Sequence, residues 1–221
     1  MEKINKDQEN KIMKDIEFLW TCTTEMNAYF TILRQLQKNT HIFQEQMNLS
    51  KAFYHYTYNA LIVATFTEVS KIYDRNSKTN YFTFIEYCQR HIDLLLQIRK
   101  EKEKNDNIEE DKKVDREYLK DIFTKLKSDI TELEPVFKNL KTQRDKIYAH
   151  NDSRSRDGVE TIIEDNPISL KDMEELISCA TISLQFIYAL ITLIKRNPLP
   201  NNIDDLDTTL IKLQENRKTK E

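Results

Sequence analysis

Glycine is almost missing from this chain: among 221 residues there is one, Gly158. Proline contributes only four further chain breakers. Sheet-rich folds draw on glycine and other turn formers at their hairpins, and loops that cradle phosphates need several glycines together. Neither architecture can be built from this composition. The three cysteines, Cys22, Cys88 and Cys179, are far apart and form no C-x-x-C pair, so they read as reduced thiols used as small hydrophobes. The four histidines, His41, His55, His91 and His150, show neither H-E-x-x-H nor cysteine partners at ligand spacing, which predicts no metal and no other cofactor. There is no nucleophile elbow and no P-loop. No run approaches the roughly 18 consecutive apolar residues of a membrane span, and the lysine- and acid-rich N-terminus lacks the apolar core of a signal peptide. A cytoplasmic location with no membrane partner is the expectation.

What the chain has in quantity is charge. Asp, Glu, Lys and Arg make up 32% of it, yet the formal balance is only −3. A protein basic throughout is excluded, so any hold on nucleic acid must come from a local patch.

Helical periodicity fills most of the length. After a polar stretch, 1–10, expected to fray, Ile12, Ile16, Leu19, Met26, Phe30 and Leu33 recur at threes, fours and sevens and predict a helix over 11–39. A short connection, 41–48, leads to a second helix over 49–74. The segment 74–80, D-R-N-S-K-T-N, collects cap and turn formers. A third helix follows over 81–100, and the nearly all-charged run 100–113 either continues it as a solvated extension or forms a loop, the loop being the preferred reading. A fourth helix spans 114–134, and Pro135 suits a first turn or a kink. The next helix runs to about residue 150, and 151–168 reads as a long surface loop. Ser169 with Asp172 makes a capping box for a last core helix over 170–195. Its middle, 182–194, is apolar almost all round and is expected to be the most buried element. Asn197-Pro198 stops it, and a short helix over 206–213 precedes a basic tail. The prediction is an all-α protein: one antiparallel bundle of about five to six helices over 11–196, with 197–221 as an appendage.

One stretch carries chemistry. Residues 141–152 read K-T-Q-R-D-K-I-Y-A-H-N-D. On a helical wheel Val136, Phe137, Leu140, Ile147 and Tyr148 share an apolar sector, and Arg144 falls inside it. Arginine is seldom buried without a partner. His150 lies about 120° round from Arg144 and roughly 9 Å further along the axis. Metal-free RNA cleavage needs a group to move a proton at the 2′-hydroxyl or the leaving oxygen. It also needs cations to hold the charge growing on the phosphorane. Histidine suits the first role and arginine the second. Lys138, Lys141, Lys146, Arg154 and Arg156 surround the pair and would attract a phosphate backbone. One helix does not bring Arg144 and His150 to a point, whereas two copies about a twofold axis could, each chain supplying part of the site. The plain alternative is that Arg144 pairs with a core carboxylate, Glu68 being one candidate, and that His150 merely ends a helix.

The run R-D-K-I-Y-A-H resembles the R-x(4–6)-H signature of the HEPN superfamily, with five residues between the pair and Asp145 an allowed type after the arginine. The A-H-N-D ending and the I-Y-D turn at Asp74 resemble its abortive-infection branch. The resemblance implies an all-helical homodimer with facing signature helices. It further implies a metal-independent endoribonuclease of phage defence or toxin–antitoxin systems, RNA as substrate and, in some systems, a cognate antitoxin protein. It would make Arg144 and His150 catalytic, with Asp145, Lys146, Tyr148 and Asn151 in support. Some toxin members carry a tyrosine two residues past the histidine that a partner enzyme modifies; Asp152 stands there in this chain. A non-catalytic module that binds RNA or a partner protein is the rival reading, and a purely structural bundle is a third. The aromatic run 53–58, F-Y-H-Y-T-Y, has two readings as well: a platform for stacking bases, or rings that pack at an interface.

Overall fold

The computed structural model describes residues 6–109, 113–148 and 158–218. Among them there are ten α-helices, one π-helical turn and no strand.

The longest element, α1 (Lys6–Ile42), starts five residues before the predicted onset and buries Ile12, Ile16, Leu19, Met26, Phe30 and Leu33. The apolar spacing thus marks its inward face, while the polar first turn continues the helix in solvent. The predicted connection after it is itself a short helix, α2 (Gln44–Asn48). It turns the chain into α3 (Lys51–Tyr73), whose extended C-cap is Asp74. Thr79, past the end of α3, donates to Asp15 near the start of α1 (3.2 Å). At the other end, Leu36 of α1 shares a cluster with Tyr54 and Tyr58 of α3. The two helices are therefore antiparallel.

The predicted third helix is two, α4 (Tyr81–Arg90) and α5 (Ile92–Asn105). Asn80 caps the first, its side chain accepting from the Thr83 amide at 3.0 Å. The break falls at His91, whose Nδ1 lies 2.8 Å from the Tyr87 carbonyl and whose ring stacks on Tyr87 at 4.1 Å. A ring nitrogen competing for an i−4 carbonyl disturbs the ladder at that point, as an inserted side chain does in other kinked helices. The charged run expected to be a loop stays helical to Asn105. Arg99 with Glu103 (2.7 Å) and Lys102 with Asp106 (3.2 Å) pair at i,i+4 along it, a spacing that supports helix. The helix closes where Asn107 turns left-handed (φ 53°) and the Ile108 amide returns to the Glu103 carbonyl.

Next come α6 (Arg116–Glu132), capped by Asp115, and α7 (Glu134–Gln143), with Pro135 in its first turn where the missing N–H costs nothing. The chain passes through the π-turn Arg144–Tyr148. The predicted surface loop contains a helix, α8 (Val159–Asp165). The predicted capping box is present at the start of α9 (Leu170–Thr192). That helix ends three residues early, because Leu193 adopts a left-handed conformation (φ 60°).

Helix α9 lies antiparallel to α1: Asn27 donates to Thr181 (2.8 Å), and Tyr188 donates to Glu17 (3.0 Å). Buried Tyr73 and Tyr81 send their hydroxyls to the carbonyls of Leu176 and Cys179, so α3 and α4 are fastened to α9 by satisfied polar groups. Ile182 is exposed, so the apolar middle of α9 is not buried all round. Length and composition alone would let α9 cross a membrane, and 56% of its most apolar window is buried in this bundle. Serine, threonine and glutamine interrupt the apolar run, which is why run length passed it over. After α9, Arg196 grips Glu17 through both terminal nitrogens (2.7 and 2.9 Å) and lies 3.9 Å over the Tyr188 ring. That pair holds the Glu17 carboxyl below its usual range.

The last helix, α10 (Asp205–Lys218), is longer than predicted. Gln35 donates to the Ile203 carbonyl at 2.9 Å and Asn39 to Asp207 at 2.5 Å, tying it to α1. Its Leu210 closes a second, small apolar cluster with Leu36, Phe43 and Met47, joined to the main core through Tyr58 and Leu61.

Candidate functional site at the end of the seventh helix

Helix α7 buries Phe137, Leu140 and Gln143 and leaves Lys138 exposed. Lys141 faces the end of α3, where its Nζ donates to Asp74 Oδ1 at 3.2 Å. The same oxygen accepts from the Asn76 amide at 3.1 Å. Burial raises the Asp74 pKa, but hydrogen bonds from Asn76 and Lys141 and the charges of Lys141 and Arg144 prevail, holding this carboxyl below its ordinary value. The I-Y-D turn and the R-D-K-I-Y stretch, distant in sequence, thus meet in space.

At Arg144 the helix widens into the π-turn. Such single-turn widenings recur at functional sites. Arg144 donates through Nε to Asp145 Oδ1 at 2.7 Å, with Nη2 2.5 Å from the same oxygen. Adjacent residues on a regular α-helix do not face each other; here they meet. The Arg144 side chain is 20% exposed and that of Asp145 41%. Arg144 is thus largely covered, and its partner is the carboxylate next in sequence, Asp145, which is more open to solvent. Glu68, the alternative partner across the core, instead accepts from Lys71 at 2.5 Å. Lys146 is exposed. Tyr148 is half-buried and meets Phe66 edge-on at 5.1 Å, and burial pushes its phenol pKa up.

Two polar side chains that the sequence reading passed over position this turn. Buried Gln143 donates to the Asn166 carbonyl at 2.6 Å, and Asn139 donates to the Pro167 carbonyl at 3.2 Å. They pin the returning chain between α8 and α9 against α7. Gln143, three past Leu140 and four before Ile147, was detectable as a polar residue at core spacing. Beside it Phe30, Ile62, Phe66, Tyr148 and Met173 line a cavity of about 250 Å³. His150, Asn151, Arg154 and Arg156 lie outside the described residues. Among the described residues, no group of His, Cys, Asp and Glu is placed to hold a metal ion.

An all-helical bundle with no strand among the described residues is consistent with a HEPN-like fold. The sequence model of the HEPN_AbiU2 family (AbiU2) matches residues 12–209. The chain therefore belongs to the AbiU2 family, a HEPN-type family associated with abortive infection. No curated protein and no solved structure matches it.

Proposed function

We propose that this protein is a cytoplasmic, metal-independent endoribonuclease of abortive infection, acting as a homodimer whose two copies together compose the active site. In this reading Arg144 stabilises the phosphorane through its forked donors. His150 takes the proton from the 2′-hydroxyl or gives one to the leaving 5′-oxygen. The 2′-oxygen attacks the adjacent phosphorus and the bond from phosphorus to the 5′-oxygen breaks. The products are a 2′,3′-cyclic phosphate and a 5′-hydroxyl end. Asp145 orients the guanidinium, and Lys138, Lys141 and Lys146 draw in the backbone.

The observation that carries this reading is the Arg144–Asp145 pair, partly open to solvent on a π-turn within the stretch that resembles the HEPN signature. The test is incubation with total RNA in EDTA, with end-group analysis. Cleavage should persist in EDTA, leave cyclic-phosphate ends and vanish in Arg144→Ala and His150→Ala. Mixing those two variants should restore part of the activity, since a mixed dimer holds one complete site. Cleavage that needs added metal, or that survives His150→Ala, refutes the mechanism.

One observation favours the rival, a non-catalytic module binding RNA or a partner protein: Asp145 already neutralises the guanidinium within its own chain. That reading predicts salt-dependent RNA binding that leaves the RNA intact.

A further inference from the structure

Residues 52–67 of α3 contain no Asp, Glu, Lys or Arg, in a chain of which 32% is such residues. A helix without charge ordinarily lies buried. This one does not. Leu49, just ahead of α3, is 61% exposed, Phe53 62%, Tyr56 72% and Val63 37%, and Ala60 between them is exposed too. Their spacing of four, three, four and three is the heptad seam along which one helix packs on another. Residues flanking the seam, Ala52, Thr57, Asn59 and Ala64, are small or short and allow close approach. Elsewhere, exposed large hydrophobics such as Phe18, Tyr118 and Ile182 are widely separated in sequence, and isolated ones need no explanation. Aromatic enrichment with charge depletion marks the core of a protein interface.

We infer that this face of α3 is where a second copy of the same chain docks. A surface meeting its own image must not repel itself, and a patch without formal charge satisfies that condition. The direction of the seam agrees. At 100° per residue, Asp74 sits about 20° from its centre line, so the seam leads to the side of α3 on which Asp74 receives Lys141, while Tyr148 of the π-turn meets the same end of α3 at Phe66, about 100° round. Two such helices packed about a twofold axis parallel to them carry both π-turns to one end of the interface. This is the geometry the composite site requires, and the choice of a second copy as occupant rests on that proposed function. A track for single-stranded RNA would instead need cations along it, and the seam has none between 52 and 67. The uncharged segment spans roughly 23 Å of helix, so the contact is of modest size and its dimer should be concentration-dependent at micromolar chain.

Sedimentation or light scattering of the full chain tests this. The wild type should run at twice the chain mass and melt at a concentration-dependent temperature, and Phe53→Glu/Tyr56→Glu should run at the single mass with unchanged helical circular dichroism and a Tm independent of concentration. Ile182→Glu, at an exposed apolar site on α9, should remain dimeric. Should the double variant fold poorly, Ala60→Cys provides a second reading: mild oxidation should cross-link chains through it and not through the wild type. A monomeric wild type, or a dimer that survives Phe53→Glu/Tyr56→Glu, overturns the inference. So does a Phe53→Leu/Tyr56→Leu protein that loses single-stranded RNA binding while staying dimeric, since that result makes the rings a stacking platform. Mass, not cleavage, is the readout: an inactive dimer removes the ribonuclease and keeps the interface, and a monomer that cleaves RNA does the reverse.

Discussion

Replacing Arg144 with alanine separates two meanings of this residue, because stability and activity respond to them by different amounts. Its partner Asp145 is 41% exposed and its own side chain 20%, so the ion pair contributes on the scale of solvent-exposed pairs, about 0.2–1 kcal/mol. The truncation also removes two stem methylenes that are only partly covered, worth at most about 0.8 kcal/mol each. The sum is roughly 1–2 kcal/mol, a fall in Tm of about 2–4 °C for each kcal/mol in a domain of this size. Loss of a donor that stabilises transition-state charge costs about 10²–10³-fold in rate. Arg144→Ala should therefore melt a few degrees lower while its RNA cleavage collapses. Differential scanning calorimetry and a gel-based cleavage assay on the same preparation read both. A double-mutant cycle with Asp145→Ala should give a coupling of no more than about 1 kcal/mol. A loss of about 3–5 kcal/mol, the signature of a broken buried pair, or cleavage that persists, would refute the reasoning.

Ser169→Ala deletes the hydroxyl that accepts from the Asp172 amide at the start of α9 and should cost about 0.5–2 kcal/mol in chemical denaturation. Leu193 holds a left-handed conformation at φ 60°, which costs an L-residue roughly 1–2 kcal/mol; Leu193→Gly should raise Tm slightly even after its packing is lost. The depressed Asp74 pKa stabilises the fold at pH values above the carboxyl's unfolded value, and that stabilisation is lost as pH falls through the folded value. Urea titrations should find Asp74→Asn less stable than the wild type at neutral pH, with the gap closing in acid. An undiminished gap in acid would mean that the carboxylate is not the source of the effect.

Apolar periodicity located α1, α3, α6 and α9 because each has one face against the main core, and burial leaves a repeat in the sequence. The capping box was legible for the same kind of reason: it is a local device written in two residues, Ser169 and Asp172. The break at His91 was not legible, since no proline or glycine marks it and its cause is a ring competing for a backbone carbonyl. The charged run hid a helix whose support is i,i+4 ion pairs, not an apolar face. At the candidate site, the residue types and basic neighbourhood of Arg144 were readable. Its pairing was not, because a wheel drawn at 100° per residue presumes an α-helix where the chain widens into a π-turn, and it carries no side-chain rotamer, so the contact of Arg144 with Asp145 does not appear on it. The meeting of Lys141 with Asp74 joins positions 67 residues apart, and no local pattern encodes it.

The small cluster of Leu36, Phe43, Met47 and Leu210 has a dynamic consequence. Few apolar contacts hold α2 and α10 together, so amide protons there should exchange with deuterium through partial openings, well before those of α9. Tyr54 and Tyr58, near the beginning of α3, rest on this cluster. The first turns of α3 thereby rest partly on this small cluster, with Tyr58 reaching the main core as well. Whatever steadies the cluster should slow exchange throughout it, and severing α10 should speed exchange there while leaving the main core protected.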